Sequence, residues 1–212
     1  MYNPKHFVQN DLRALRELIH AYGFATLISH SDGEFMVSHI PIMLDETSAP
    51  KGKLIGHLAR TNPHCQILAK GGQALVIFQG PHTYISPSWY EQPKRMVPTW
   101  NYTIAHVYGA ARIVEDKIKL KQIVGTLVHQ YESGFAQPWT MDLPDDFLDA
   151  NLNAIVGFEI DIERIEGKFK ISQNRTVADQ QRVIAALEKQ ADAMSREMAK
   201  LMQQRLKTQE SA

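Results

Sequence analysis

The sequence predicts an α+β protein built on an antiparallel β-barrel, with flanking helices and a long C-terminal helix. Three observations predict it. Short β-branched and aromatic runs recur along the 212 residues, broken up by helical segments rather than alternating strictly with them. Asp32-Gly33 lies between two apolar runs, which is a hairpin signal. Residues 177–207 contain neither Gly nor Pro and carry apolar side chains at helical spacing.

The elements follow in order. Asn10 is read as the cap of a first helix carrying Leu12, Leu15, Leu18, Ile19 and Tyr22, which Gly23 ends. Residues 24–30 and 35–44 form a hairpin, and a polar loop from Asp45 to Gly52 leads to a strand over 53–59. Asn62-Pro63 starts a short helix that stops near Gly71-Gly72. Strands are expected over 74–78 and 82–90, broken at Gln79-Gly80-Pro81. A long strand over 99–115 contains Gly109, read as a bulge or bend. Asp116 starts a helix through about Ser133, and a short helix spans 145–151. Residues 155–172 read as a strand pair turning at Ile165-Glu166-Gly167.

A single helix is expected over 177–207. Val177, Ile184, Leu187, Ala191, Met194, Met198 and Leu201 form a heptad stripe on it, and such a stripe needs a partner. Two partners are open: the barrel of the same chain, or a second subunit. The domain reading is therefore a barrel domain over 1–175 and a C-terminal helix over 176–212, with a frayed end from Thr208.

Apolar residues make up 44% and charged residues 22%, ordinary for a globular chain. The 23 Lys and Arg balance the 23 Asp and Glu, which argues against a broad nucleic-acid face. Cys65 is the only cysteine, so no internal disulfide forms, and a reducing compartment is expected. The first residues carry no apolar leader. The longest apolar runs are far short of the roughly 20 residues of a membrane span. The expectation is a cytoplasmic protein without a membrane partner.

Three segments carry candidate chemistry. His57, Arg60, Thr61 and Asn62 sit where a strand turns into a helix start, a place that suits phosphate or merely caps a helix. Trp100 and Asn101 could place an aromatic face and an amide against a flat polar-edged ring, or begin a strand with a core tryptophan. His82, Tyr84, Ser86, Trp89 and Tyr90 raise the same pair of readings, with Tyr84, Ser86 and Ser88 on one strand face. Lys170-Ile171-Ser172-Gln173-Asn174-Arg175 is a polar run just before the last helix. Asn174 is a plausible cap there, and Arg175 opposes the helix dipole, which suggests another partner for it. Cys65 beside His64 does not make a nucleophile, because adjacent helical residues point apart. There is no HExxH, CxxC, glycine-rich nucleotide loop or GxSxG elbow.

Four stretches taken together resemble one family. They are His57-Leu58-Ala59-Arg60-Thr61-Asn62-Pro63-His64, residues 80–90, Val97-Pro98-Thr99-Trp100-Asn101-Tyr102 and Ser172-Gln173-Asn174-Arg175. Their order is similar to that of the PaiB-like proteins, FMN-binding negative transcriptional regulators with the flavin-reductase-like split barrel. The likeness runs from Met1 to about Leu187. It implies a homodimer with FMN between subunits. His57, Arg60, Thr61 and Asn62 would then lie at the phosphate or ribityl end, and Trp100 and Asn101 near the ring or dimer seam. Gln173, Asn174 and Arg175 would close the site. It also implies a DNA or regulatory-protein partner. The balanced charge and the lack of a helix-turn-helix signature argue against direct operator contact. An FMN-dependent oxidoreductase using a nicotinamide donor is the alternative, since the cofactor would carry the chemistry. A flavin carrier without turnover is a third.

Overall fold

A computed structural model of the chain describes residues 1–47 and 51–210. The elements are β1 (Val8–Gln9), α1 (Leu12–Ala21), β2 (Phe24–Ser31), β3 (Glu34–Asp45), β4 (Lys53–Ala59), α2 (His64–Ala69) and β5 (Gln73–Ile85). Then come β6 (Thr99–Val114), α3 (Lys117–Glu132), α4 (Asp145–Asn153), β7 (Ile155–Lys170), α5 (Val177–Glu188) and α6 (Ala193–Glu210). The strands make one antiparallel sheet in the order β1-β7-β4-β3-β2-β5-β6, and β6 also pairs with β7. That extra pairing joins the last strand of the order back to the second, as a barrel requires.

Two compact units share this sheet. One comprises residues 1–18, 79–105 and 166–212; the other comprises 19–78 and 106–165. In the second unit the β2–β3 hairpin turns on Asp32 and Gly33, at φ 54° and 85°. Ser31 opposes Glu34 across the turn. Two left-handed residues give the turn whose twist matches the flanking strands. β4 alternates buried Leu54, Gly56 and Leu58 with half-buried neighbours. Asp116 caps α3, its Oδ1 accepting from Lys119 N at 2.8 Å, and α3 buries Ile123 and Leu127 against Met43, Val114 and Ile55.

In the first unit α5 and α6 bury Val183, Ile184, Leu187, Met198, Ala199, Met202 and Leu206 around Ile85, Tyr90 and Ile171. Each such large apolar side chain contributes roughly 1.5–3 kcal/mol.

Several expectations are corrected. Residues 177–207 form two helices, not one. Asp192 Oδ1 accepts from Ser195 N at 2.8 Å and caps α6, while Arg196 Nη1 donates to the carbonyl of Gln190 at 3.1 Å near the end of α5. Of the heptad stripe, Ile184, Leu187 and Met198 are buried, but Val177 and Ala191 are exposed.

Residues 73–85 run as one strand through Gly80 and Pro81, both buried. The expected Tyr84–Ser86–Ser88 face does not form. The strand stops at Ile85, and Ser86 caps a 3₁₀ turn over Pro87–Trp89. Residues 155–170 are also one strand, because Gly167 is not a turn residue. It pairs with Gln9, and a Cβ there would sit 2.3 Å from the Leu15 side chain. Gly109 serves the same end: a Cβ would lie 2.0 Å from the Asp161 carbonyl oxygen.

Asp11 rather than Asn10 starts α1, accepting from Arg13 N at 2.9 Å. Thr176 rather than Asn174 caps α5, accepting from Asp179 N at 3.2 Å. Part of the Asp45–Gly52 loop and the last two residues of the expected frayed end lie outside the described residues.

Candidate functional site

The predicted site residues divide between the units, four in the second and five in the first. In the second unit, β4 carries His57 and delivers Arg60, Thr61 and Asn62 to the turn before α2. His57 is half-buried, and its Nδ1 is buried without a hydrogen-bond partner. Burial pushes its imidazole below the ordinary value. Asn62 is used structurally: its Oδ1 accepts from His64 N at 2.9 Å, and its Nδ2 donates to Ser38 Oγ at 3.3 Å. Ser38 Oγ is 2.9 Å from His64 Nδ1, so a polar trio of buried Ser38 and His64 with half-buried Asn62 anchors this turn. Arg60 is partly committed too. Its Nε donates to the Asn153 carbonyl at 2.9 Å, Nη2 to the Ile155 carbonyl and Nη1 to Glu115, both at 3.1 Å. One N–H on each Nη is left for another acceptor. Thr61 is exposed.

The first unit brings its candidates together more densely. β6 begins with exposed Trp100 and buried Asn101. Trp100 meets the Tyr84 ring edge-on at 6.2 Å. Asn101 Nδ2 donates to Ser172 Oγ at 2.9 Å, which holds Ser172 in the left-handed region at φ 65°. That is an uncommon and costly conformation for a residue with a Cβ, and such strain collects at binding and switch segments. Gln173 folds back on its own turn, its Oε1 accepting from Ile171 N at 2.7 Å. Asn174 is exposed. Arg175 places its guanidinium 5.3 Å from the Tyr90 ring centre, and the buried Tyr90 hydroxyl has no partner.

Lys168 lies outside the predicted segments, and Lys170 opens the predicted polar run with no role assigned to it. β7 ends on Lys168 and Lys170, directly before the predicted Ser172–Arg175 segment. Lys170 Nζ donates to Thr99 Oγ1 and, at 2.8 Å, to the Trp100 carbonyl. Lys168 Nζ donates to the Tyr2 carbonyl at 3.1 Å and lies 5.4 Å from the Tyr102 ring centre. Among the described residues no carboxylate forms an ion pair with Lys168, Lys170 or Arg175. Burial, then the charges of Lys168 and Arg175, hold the Lys170 ammonium below the ordinary lysine range. The legible signal was the Lys-x-Lys at a strand end leading into a polar turn and Arg175.

An FMN needs a cationic cradle for phosphate, an aromatic or apolar face for its ring, and amides or hydroxyls at its rim. The first unit offers all three as an uncompensated cluster of Lys168, Lys170 and Arg175, the rings of Tyr84 and Trp100, and the Asn101–Gln173 segment. The residues of the first unit fit the group.

The fold defines a split-barrel protein. Residues 1–164 match the family described as "Putative FMN-binding domain", and the chain belongs to that family. Among curated proteins it is 34% identical over 210 residues to "Protease synthase and sporulation protein PAI 2" of Bacillus subtilis, covering 99% of this chain and 100% of that one. FMN is therefore the cofactor of a PaiB-type domain here.

Among solved structures, the FAD and heme binding protein from Mycobacterium smegmatis superposes with a TM-score of 0.57 at 16% identity, over 84% of this chain and 79% of that one. A flavocytochrome from Azotobacter vinelandii gives 0.58 at 12% identity, over 80% and 70%. At such identities the likeness is one of fold. Among the described residues no helix is long and apolar enough to cross a membrane, and no cluster of His, Cys, Asp or Glu could hold a metal ion.

Proposed function

We propose that the protein is a homodimeric, flavin-dependent sensor that binds FMN with groups from both subunits and passes the flavin's state to a regulatory partner. One observation supports it most: three cations without carboxylate partners, beside exposed aromatic rings and a strained amide-bearing turn in the first unit. Lys168, Lys170 and Arg175 would hold phosphate. Trp100 and Tyr84 would face the ring, and Asn101 with Gln173 and Asn174 would meet its polar rim. In the second unit, His57, Arg60, Thr61 and Asn62 are a separate set of candidates for flavin contact. When bound, the flavin supplies reversible electron and hydride chemistry. The chain's own task is to bind, orient and shield it.

The similarity to a Bacillus subtilis protein named for protease synthesis and sporulation supports a regulatory output. The balanced charge favours a protein partner over DNA. The test begins with an absorption spectrum of the purified protein, an FMN titration followed by flavin fluorescence, and the mass in solution. Saturable quenching near one FMN per chain in a dimer is expected. Colourless monomer that ignores FMN would overturn the reading. Rapid bleaching by a nicotinamide donor followed by turnover with an acceptor would replace the sensor with an oxidoreductase.

A further inference from the structure

We propose that the outer face of β2, β3 and β5 in the second unit is the surface on which a second copy of this chain docks. The inference rests on the homodimer proposed above and names the face that forms it.

Side chains alternate across a strand, and on these strands one face is closed and the other open. Ala25, Leu27 and Ser29 of β2 are buried, as are Ala74, Val76 and Phe78 of β5. The residues between them point outward, and the register joins them into one layer. Phe24 stands opposite Pro41, Ile28 opposite Val37 and His30 opposite Phe35 across β2 and β3. On the other side of β2, Ile28 stands opposite Leu75 and Thr26 opposite Ile77. Polar groups in the layer are satisfied within it: Thr26 Oγ1 lies 3.1 Å from His39 Nδ1.

The layer is open to solvent. Phe24 is 70%, Phe35 73% and Val37 48% exposed. An aromatic side chain buries roughly 150–250 Å², so the two phenylalanines alone hold out roughly 200–350 Å². Val37 and the side chains beside it carry the face toward the roughly 800 Å² that each side of a stable dimer buries. A contiguous apolar patch of more than a few hundred Å² marks an interaction surface.

Composition selects the occupant. Residues 24–30, 35–41 and 73–79 contain no Lys, Arg, Asp or Glu. Nucleic acid, or a strongly acidic or basic protein, would find no charge to answer its own. A lipid surface is recognised through basic residues set beside apolar ones, which these strands lack. A flat, uncharged face is complementary to itself. Two copies related by a two-fold axis bring the same patch to each other, and sheets stacked in this way interdigitate their side chains about 10 Å apart.

The test is sedimentation equilibrium on the full chain, with and without FMN. The wild type is expected to be a dimer. Phe35→Asp and Val37→Lys each place a charge in the layer, and each enters the dimer twice. The dissociation constant should therefore rise at least about hundredfold. Both side chains point away from the core, so Tm should stay close to that of the wild-type chain; if Phe35→Asp is unfolded, Val37→Lys decides. Phe147→Asp, at an exposed aromatic on α4, should leave the dimer intact. A dimer indifferent to both β3 variants, or weakened as much by Phe147→Asp, would overturn the face and leave the homodimer standing. A wild-type chain that stays monomeric at every concentration would overturn both.

Discussion

Lys170→Met separates a binding cation from a structural one, because the two roles move two readouts in different ways. In the free protein Lys170 donates to two neutral acceptors, Thr99 Oγ1 and the Trp100 carbonyl. Each such bond from an ammonium contributes up to about 1.5–3 kcal/mol, less where solvent reaches it. Against this stand the burial of its charge and repulsion from Lys168 and Arg175. Methionine keeps the stem, gives up both bonds and relieves the repulsion, so the two terms oppose each other at similar size. The net change in stability should be within about 1 kcal/mol, or roughly 2–4 °C in Tm for a chain of this length. A lost charge-assisted bond to phosphate has no such offset. At about 1.5–3 kcal/mol it should weaken FMN roughly ten- to hundredfold.

The pH dependence adds a third readout. The folded-state value of Lys170 is lowered, so the free folded protein sheds that proton before the unfolded chain does. Its contribution to stability therefore rises with pH between the lowered value and the ordinary lysine range. FMN affinity should fall across the same window, and the methionine variant should lack that fall. Thermal melts and FMN titrations at a series of pH values decide it. A Tm loss of many degrees with unchanged FMN affinity would refute the phosphate role and return Lys170 to the strand end.

The remaining predictions use the same assays. Arg60→Met should lower Tm by a few degrees, since its guanidinium ties the carbonyls of Asn153 and Ile155. It should weaken FMN less than Lys170→Met, because three of its donors are already engaged. Gly109→Ala should cost at least about 1–3 kcal/mol by denaturant unfolding, because β6 and the Asp161 backbone must move apart. Burial holds His57 and His64 below the ordinary imidazole value, so the unfolded chain takes up more protons. Stability should therefore fall as pH drops below about 6.5, and His64→Gln should flatten that slope. Glu159 has the opposite starting point, a lowered carboxyl. Its contribution is intact above the ordinary carboxylate value and is lost only at more acid pH, which keeps the two windows distinct.

What the sequence disclosed follows the range of the interactions involved. The Asp32-Gly33 turn and the Asp116 cap are local devices, decided by a residue or two, and both stand where the pattern put them. Gly167 misleads because its reason is distant in sequence: it resembles a turn until Leu15 and Gln9 are seen pressed against it, and the Asp161 carbonyl that crowds Gly109 is equally distant. Pro81 resembles a break, yet β5 runs through it. The C-terminal helix differs for the reverse reason: absence of Gly and Pro reads as continuity, while Asp192 is itself a start signal.

The same division holds for the candidate site. Arg175 was singled out because a cation at a helix start opposes the dipole, and that local conflict pointed to a real feature of the surroundings. Lys168 and Lys170 carried no such conflict. Their charge became conspicuous only when the fold placed them beside Arg175 without a carboxylate to balance it. An uncompensated charge is a property of a neighbourhood, and a linear pattern can indicate it only where one residue already contradicts its own element.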